Sequence, residues 1–302
     1  MADEHFPPAA PRKILLATDL SARCDRALDR AAQLARQWDA ELLVVHAVEP
    51  ANPGSPWPDV DDPPSWRRPP DPRGAIERQI RRDLREEVDR LQILVEEGPA
   101  VRVILDAAAR EGCDLIVLGT ARDELLGRML LGATIEHLVR RSPVSVLVVK
   151  TRPRGAYGHI LVGSDFTEES RYGLEVAAAL FPDASFMLMH AFELPYRALL
   201  QDNQLSHDFA AMESATIQAF LEESRVAPDL RARIHTTIEH GPPPAMLASY
   251  VVERGAELTV IGAVGRGLLF HMLIGGTARR IVDGVPGDVL VVRARSEAAA
   301  GG

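Results

Sequence analysis

The sequence has few cysteines and no long apolar run, and both shortages exclude classes of protein. The two cysteines in 302 residues, Cys24 and Cys113, argue against a disulfide and indicate buried thiols in a reducing compartment. No stretch of about 18 uncharged apolar residues exists, so we expect no membrane span. The first residues are acidic and rich in proline, without the basic-then-apolar order of a secretory signal. We therefore expect a cytoplasmic protein.

Positive charge is also in short supply. Lysine and arginine total 34 against 43 aspartates and glutamates, which gives a net charge of −9. Both halves of the chain are acidic, and broad nucleic-acid binding needs a cationic face, so we expect no nucleic-acid partner. Apolar residues at 46% and charged residues at 25% are ordinary for a globular chain with about two domains.

An internal repeat organises the chain. The segment Ile14–Ser21 (ILLATDLS) returns as Ile160–Thr167 (ILVGSDFT), at an offset of 146 residues. The segment Asp114–Gly119 (DLIVLG) returns as Glu257–Gly262 (ELTVIG), at an offset of 143 residues. Further blocks recur in the same order, which is difficult to obtain by chance and indicates a duplicated domain.

The repeat predicts two tandem domains, over residues 11–150 and 158–295. The linker Lys150–Gly158 contains proline and glycine, which favour an irregular connection. Only the first domain carries a proline-rich insert, residues 50–73, and its nine prolines predict a segment without regular structure.

Short apolar runs alternate with helical periodicity inside each unit. In the first unit these runs are Ile14–Ala17, Leu42–Val48, Leu91–Val95, Leu115–Leu118 and Val144–Val149. They are continuous, as in parallel strands covered on both faces. The order β-α-β-α-β-α-β-α-β predicts an α/β fold with a doubly wound five-stranded parallel sheet in each half. Ser21 and Thr167 are predicted N-caps, and Gly112 is a predicted helix stop.

The carboxyl ends of the strands are the expected place for a ligand, near the switch in strand order. In the second unit, Ser164 and Asp165 follow the first strand, Ala191 ends the second, and a glycine-bearing loop follows the fourth. That loop contributes Gly262, Gly265, Arg266, Gly275, Gly276 and Thr277. Glycines let the backbone approach a ligand, and the N–H groups at a helix start favour a phosphate. Asp165 is an acceptor for a ribose hydroxyl.

The spacing Gly-x2-Gly-x9-Gly of Gly262, Gly265 and Gly275 resembles the ATP-binding signature of universal stress proteins. The segment SDFT resembles that family's first motif, and Val289–Val292 resembles its last strand. The resemblance covers both halves and is to tandem members of the bacterial E type. It implies an adenine nucleotide alpha hydrolase-like fold that binds ATP or a related adenine nucleotide, with or without Mg²⁺. It also implies a stress-response role through protein partners.

The first unit departs from this signature. Its corresponding residues are Thr18, Asp19, Ala47, Gly119, Arg122, Gly132, Ala133 and Thr134. Arg122 stands at the second glycine, and Ala133 replaces the usual Ser or Thr. We therefore predict a degenerate first site and one nucleotide per chain, in the second unit. The second unit also departs, because Gly276 occupies the usual Ser/Thr position and Thr277 follows it.

Three functions stay open at this point. The first is a nucleotide-dependent interaction switch, and the second is a nucleotide-free protein that acts only through protein contacts. The third, an ATP-consuming enzyme, is disfavoured because the sequence has no Walker lysine, GxSxG elbow or HExxH helix. His46 and His190 are predicted to be packed strand-end histidines, since no second ligand stands at metal-binding spacing.

The last strand of each unit is apolar, over Val144–Val149 and Val289–Val292. Because an exposed apolar edge strand favours aggregation, we predict that the two strands cover each other within one chain. This arrangement would be an intrachain pseudo-dimer. A homodimer of whole chains would then use other surfaces, of which the insert with Trp57 and Trp66 is one candidate.

Overall fold

The computed structural model of the chain describes residues 10–22, 24–48, 72–84, 88–120, 132–192, 215–263 and 276–293. The first half contains β1 (Lys13–Ala17), α1 (Asp25–Gln37), β2 (Glu41–Val48), α2 (Pro72–Asp83), β3 (Leu91–Glu97), α3 (Ala100–Arg110), β4 (Leu115–Gly119), α4 (Ala133–Arg141) and β5 (Ser145–Val149). The second half contains β6 (His159–Ser164), α5 (Glu168–Leu180), β7 (Ser185–Phe192), α6 over residues 215–223, α7 (Pro228–Arg231), β8 (Ile234–His240), α8 (Pro243–Arg254), β9 (Leu258–Ala263), α9 (Gly276–Gly284) and β10 (Asp288–Arg293).

The ten strands of the described residues form one sheet, in the order β3-β2-β1-β4-β5-β10-β9-β6-β7-β8. Neighbours within each half are parallel, so each half has the predicted doubly wound α/β topology. The two halves meet where β5 pairs antiparallel with β10, with Leu290 opposite Leu147. The predicted pairing of the last strands is confirmed, and it turns two apolar edges into the interior of a larger sheet.

Two apolar layers lie on the faces of this sheet, and each layer contains residues of both halves. One includes α1 and α5, which meet at Trp38 and Phe181, whose ring centroids are 5.7 Å apart. The other includes α3, α4, α8 and α9. Because both layers are continuous across the β5–β10 seam, the halves share their hydrophobic core.

Local signals at the helix ends were mostly interpreted correctly. Thr167 is the N-cap of α5, and its hydroxyl accepts a hydrogen bond from the N–H of Ser170. Gly112 follows α3 with a φ of 64°, a conformation that glycine adopts without a steric penalty. The N-cap prediction for Ser21 is wrong, because α1 begins later, with Cys24 as its N-cap. The Ser21 hydroxyl donates to Asp19 instead.

The predicted end of the proline-rich insert is also wrong. Helix α2 begins at Pro72, so residues 72–73 are helical although the insert 50–73 was expected to lack regular structure. Proline is tolerated in a first helical turn because its missing N–H has no intrahelical partner there. The rest of the insert, including Trp57 and Trp66, lies outside the described residues. Within the described part of the chain, no helix is long and apolar enough to cross a membrane.

Candidate functional site

Each half has one switch in strand order at the carboxyl edge of the sheet. It lies between β1 and β4 in the first half and between β6 and β9 in the second. In the second half the pairing runs to Gly163 opposite Ile261, so Asp165 and Gly262 follow on adjacent strands at the same edge. Ala191 belongs to the neighbouring strand β7, where His190 lies opposite Ser164. The fold thus brings three of the predicted segments together.

A tight turn presents Asp165 at this edge. The side-chain hydroxyl of Ser164 accepts from the N–H of Phe166 at 3.0 Å, and Phe166 has a φ of 61°. The carboxylate atom Oδ1 of Asp165 accepts from the Thr167 hydroxyl at 2.6 Å and from the Thr167 N–H at 3.3 Å. The turn leaves Asp165 exposed with one carboxylate oxygen fixed by its own loop.

The same turn recurs in the first half. There the Thr18 hydroxyl accepts from the N–H of Leu20 at 3.0 Å, and Leu20 has a φ of 61°. A left-handed conformation costs a residue other than glycine about 1 kcal/mol or more, so the surrounding structure must enforce it. Both turns share one sequence pattern, which is Ser or Thr followed by Asp, an apolar residue and Ser or Thr. This repeated pattern could have indicated the strained backbone at the apolar residue.

Gly262 is required by packing within the protein. A Cβ atom at this position would lie 2.1 Å from the backbone oxygen of Glu169 and 2.7 Å from the nitrogen of Ser170. The end of β9 therefore passes directly beneath the first turn of α5. Sequence reasoning attributed this glycine to the approach of a ligand and did not foresee the helix contact.

Helix α9, which packs on the face of the sheet opposite to α5, begins with Gly276 and Thr277, both exposed. A Cβ atom on Gly276 would meet no atom of the described residues within 4 Å. The first N–H groups of any α-helix lack intrahelical acceptors and carry a partial positive charge. Three predicted residues of this loop, Gly265, Arg266 and Gly275, lie outside the described residues.

Histidines link the ends of the first two strands of each half. The Nδ1 atom of His190 lies 2.8 Å from the backbone oxygen of Ser164, and that of His46 lies 2.8 Å from the backbone oxygen of Thr18. A carbonyl only accepts, so Nδ1 carries the proton in both rings. This contact gives the two histidines the same structural role.

The second half adds a row of rings that sequence reasoning missed. His190 stacks on Phe166 with centroids 4.3 Å apart and on Phe192 with centroids 5.3 Å apart, and Phe192 meets His240 edge to face at 4.7 Å. Stacking on His190 helps to hold Phe166 in its strained conformation. The row joins residues from β7, β8 and the turn after β6, so only the strand order brings it together.

Asp19 in the first half has more internal partners than Asp165. Its Oδ1 atom accepts from the N–H of Ser21 at 2.9 Å, from the Ser21 hydroxyl at 2.6 Å and from the thiol of Cys24 at 3.1 Å. Burial raises the pKa of Cys24 to about 12, so the thiol stays protonated and keeps donating. The thiol is an interaction that the second half lacks, because Ser170 stands at that place and lies 3.0 Å from the Ser164 hydroxyl.

The remaining first-half residues lie at the corresponding edge. Gly119 ends β4, and Ala47 lies in β2 one residue before its end. Helix α4 begins after Gly132, which has no side chain that could cap the helix. Gly132, Ala133 and Thr134 are exposed. The structure brings these residues to one edge, while Arg122 lies outside the described residues. Within the described ranges no group of three or more His, Cys, Asp or Glu side chains could hold a metal ion.

Together, the strand order and the two switch points define a tandem, doubly wound α/β protein, a class that binds ligands at the carboxyl edge of its sheet. The family model described as "Universal stress protein family" matches residues 11–150 and 156–293. The chain therefore belongs to the universal stress protein family.

Individual relatives agree with this assignment. A universal stress protein of Mycolicibacterium smegmatis is 25% identical over 312 aligned positions, which cover 93% of this chain and 97% of the relative. Two solved structures have the same fold. A functionally unknown protein of Pseudomonas aeruginosa PAO1 has a TM-score of 0.68 at 23% identity, with 95% of this chain and 94% of that chain covered. A universal stress protein of Archaeoglobus fulgidus DSM 4304 has a TM-score of 0.62 at 19% identity, with 94% and 99% covered.

Proposed function

We propose that the chain binds one adenine nucleotide in its second half and acts as a non-enzymatic, nucleotide-dependent interaction protein of the stress response. One observation carries the proposal. Asp165 is exposed after β6 and the exposed first turn of α9 follows β9, so both belong to the two strands of the switch point, with α5 and α9 on opposite faces of the sheet. A hydroxyl acceptor and a phosphate-binding helix end at a switch point are the two elements that a nucleotide needs.

The residues suit the parts of such a ligand. Asp165 would accept hydrogen bonds from ribose hydroxyls through its second carboxylate oxygen, while Oδ1 keeps its hydrogen bond from the Thr167 hydroxyl. The N–H groups of Gly276 and Thr277 would receive phosphate oxygens, with the Thr277 hydroxyl as a further donor. Ala191, at the end of β7, would border the base.

The first half is proposed to bind nucleotide weakly or not at all. Asp19 already accepts three hydrogen bonds on one oxygen. A carboxylate that already accepts from three donors is a weaker acceptor for a further hydroxyl, which lowers the net gain from binding. The asymmetry therefore favours one nucleotide per chain.

Equilibrium titration of the full chain with ATP, ADP and AMP, with and without Mg²⁺, tests the proposal. Asp165→Asn keeps an oxygen for Thr167 but loses the charge, so we expect binding to weaken about tenfold, as for one lost charge-assisted hydrogen bond. Asp19→Asn is the matched control and should change affinity less than about twofold, since the first half contributes little. Two equal sites per chain, or equal effects of the two substitutions, would contradict the assignment.

The nucleotide-free alternative has one observation in its favour. Gly262 is explained by its contact with α5, so its presence does not require a ligand. Mass spectrometry and absorbance of the purified protein distinguish the two functions, because only the nucleotide-binding protein should carry an adenine nucleotide or bind one on titration. Phosphate release above the buffer rate would indicate an enzyme instead.

A further inference from the structure

At the end of the last strand of each half, one cationic side chain reaches across the β5–β10 seam. Lys150 follows β5, and its Nζ atom donates to the backbone oxygens of Val282 and Val285, both at 2.5 Å, at the C-terminal end of α9. Arg293 ends β10 and occupies the position that corresponds to Lys150. Its Nη2 atom donates to two backbone oxygens, of Val139 at 2.7 Å and Arg140 at 3.0 Å, at the C-terminal end of α4.

Helix α9 therefore depends on a side chain from the other half. Lys150 is only 1% exposed, although lysine is rarely buried without partners. The last carbonyls of a helix have no intrahelical donors, and a cation beside them also opposes the negative end of the helix dipole. Lys150 satisfies both needs for α9, while Arg293 does so for α4.

We propose that Lys150 is a positioning residue for the nucleotide site of the second half. It holds the C-terminal end of α9, and the first turn of this nine-residue helix is the proposed phosphate site. Through Lys150 the second half's site depends on the first half. This inference rests on the proposed nucleotide binding.

Charge acts along the same helix. The ends of α9 are about 13 Å apart at 1.5 Å per residue, so a cation at one end and a phosphate at the other attract each other through the helix. At this distance one unit charge in partly desolvated surroundings changes a binding constant about threefold per phosphate charge. For the one to two phosphate charges that lie at the helix start, loss of the Lys150 charge should therefore weaken ATP binding about three- to tenfold.

The surroundings of Lys150 lower its pKa into a range in which a pH experiment can remove its charge. Burial lowers the pKa of Lys150 to about 8, against the attraction of Asp283 in α9 and Asp288 in β10. Other ionisable or charged groups nearby are Arg26 and Arg30 of α1, and Tyr157 of the linker. Because arginine stays protonated, Lys150→Arg keeps the charge at every pH tested. The natural Arg293 shows that this side chain can cap a helix across the seam.

The experiment compares the full-length wild type with Lys150→Met, Lys150→Arg and Arg293→Met, titrated with ATP at pH 7.5 and pH 9.0. At pH 7.5 we expect about three- to tenfold weaker binding for K150M, and less than about twofold change for K150R and for R293M. Between pH 7.5 and 9.0, affinity should fall in the wild type but not in K150R. Phosphate groups are already ionised across this range. If K150M does not fold, the K150R pH profile still decides the question.

Three results overturn the inference. If the wild type binds ATP while K150M binds equally well, or if K150R keeps the pH dependence of the wild type, Lys150 does not position the site. If R293M weakens ATP binding as much as K150M, the loss comes from a general disturbance of the β5–β10 seam and not from the end of α9. If the wild type binds no adenine nucleotide at all, the proposed function falls and this inference falls with it.

Discussion

Asp288 should be among the most sensitive positions of the chain, because it connects both halves and the linker. Its carboxylate is fully buried. Oδ1 accepts from the Lys150 N–H at 2.8 Å and from the N–H and hydroxyl of Thr151, both at 2.9 Å. Oδ2 accepts from the Tyr157 hydroxyl at 2.6 Å and lies 3.7 Å from Nε of Arg30.

Two partners of Asp288, Arg30 and Tyr157, are buried and have little access to water in its place. Arg30 is 3% exposed and its guanidinium lies 3.9 Å from the centre of the Tyr157 ring. Burial raises the pKa of Tyr157 well above its ordinary value, so the hydroxyl remains a donor. Removing the carboxylate leaves buried donors and a buried guanidinium without this acceptor. A broken buried ion pair typically costs about 3–5 kcal/mol, and we expect Asp288→Ala to lower the free energy of unfolding by that amount.

Urea denaturation of the full chain measures this change. The urea concentration at the midpoint should fall, while the slope of the unfolding free energy against urea concentration stays constant. Ser145→Ala is the matched control, since Ser145 occupies the corresponding position in the first half and its hydroxyl accepts from the Arg293 N–H at 3.1 Å. Its expected cost is about 1 kcal/mol. Adding Arg30→Met to Asp288→Ala should recover part of the loss, because the unpaired buried charge is then gone. A loss below about 1 kcal/mol for Asp288→Ala, or no recovery, would refute the reasoning.

Two further predictions concern β9. Thr259 is fully buried, and its hydroxyl has no hydrogen-bond partner among the residues that the structure describes, whereas the corresponding residue of the first half is Ile116. Thr259→Val should therefore raise the free energy of unfolding by about 1 kcal/mol, and an unchanged or lower thermal midpoint would argue against this. Gly262→Ala should destabilise the chain by about 3 kcal/mol or more, because its Cβ would overlap the backbone of Glu169. In the control Gly276→Ala the new Cβ meets no described atom within 4 Å, and equal denaturation midpoints for the two variants would contradict the packing argument.

Local patterns in the sequence were sufficient for the repeat, the strands and the order of elements. Continuous apolar runs identified the strands because a buried parallel strand needs apolar side chains on both faces. The N-cap of α5 at Thr167 and the helix stop at Gly112 were also identifiable, since both depend on residues within a few positions. Even the pairing of β5 with β10 followed from the apolar character of two edge strands.

Contacts between distant residues were decided by the tertiary structure alone. The requirement for glycine at position 262 comes from α5, nearly a hundred residues earlier in the chain. The cation on α9 is Lys150, which is 132 residues away from Val282. Periodicity and local spacing describe the neighbours of a residue along one element, and they do not specify which side chain of a distant element will contact it. The repeat therefore predicted two similar halves, but only folding decided which side chains each half supplies to the other.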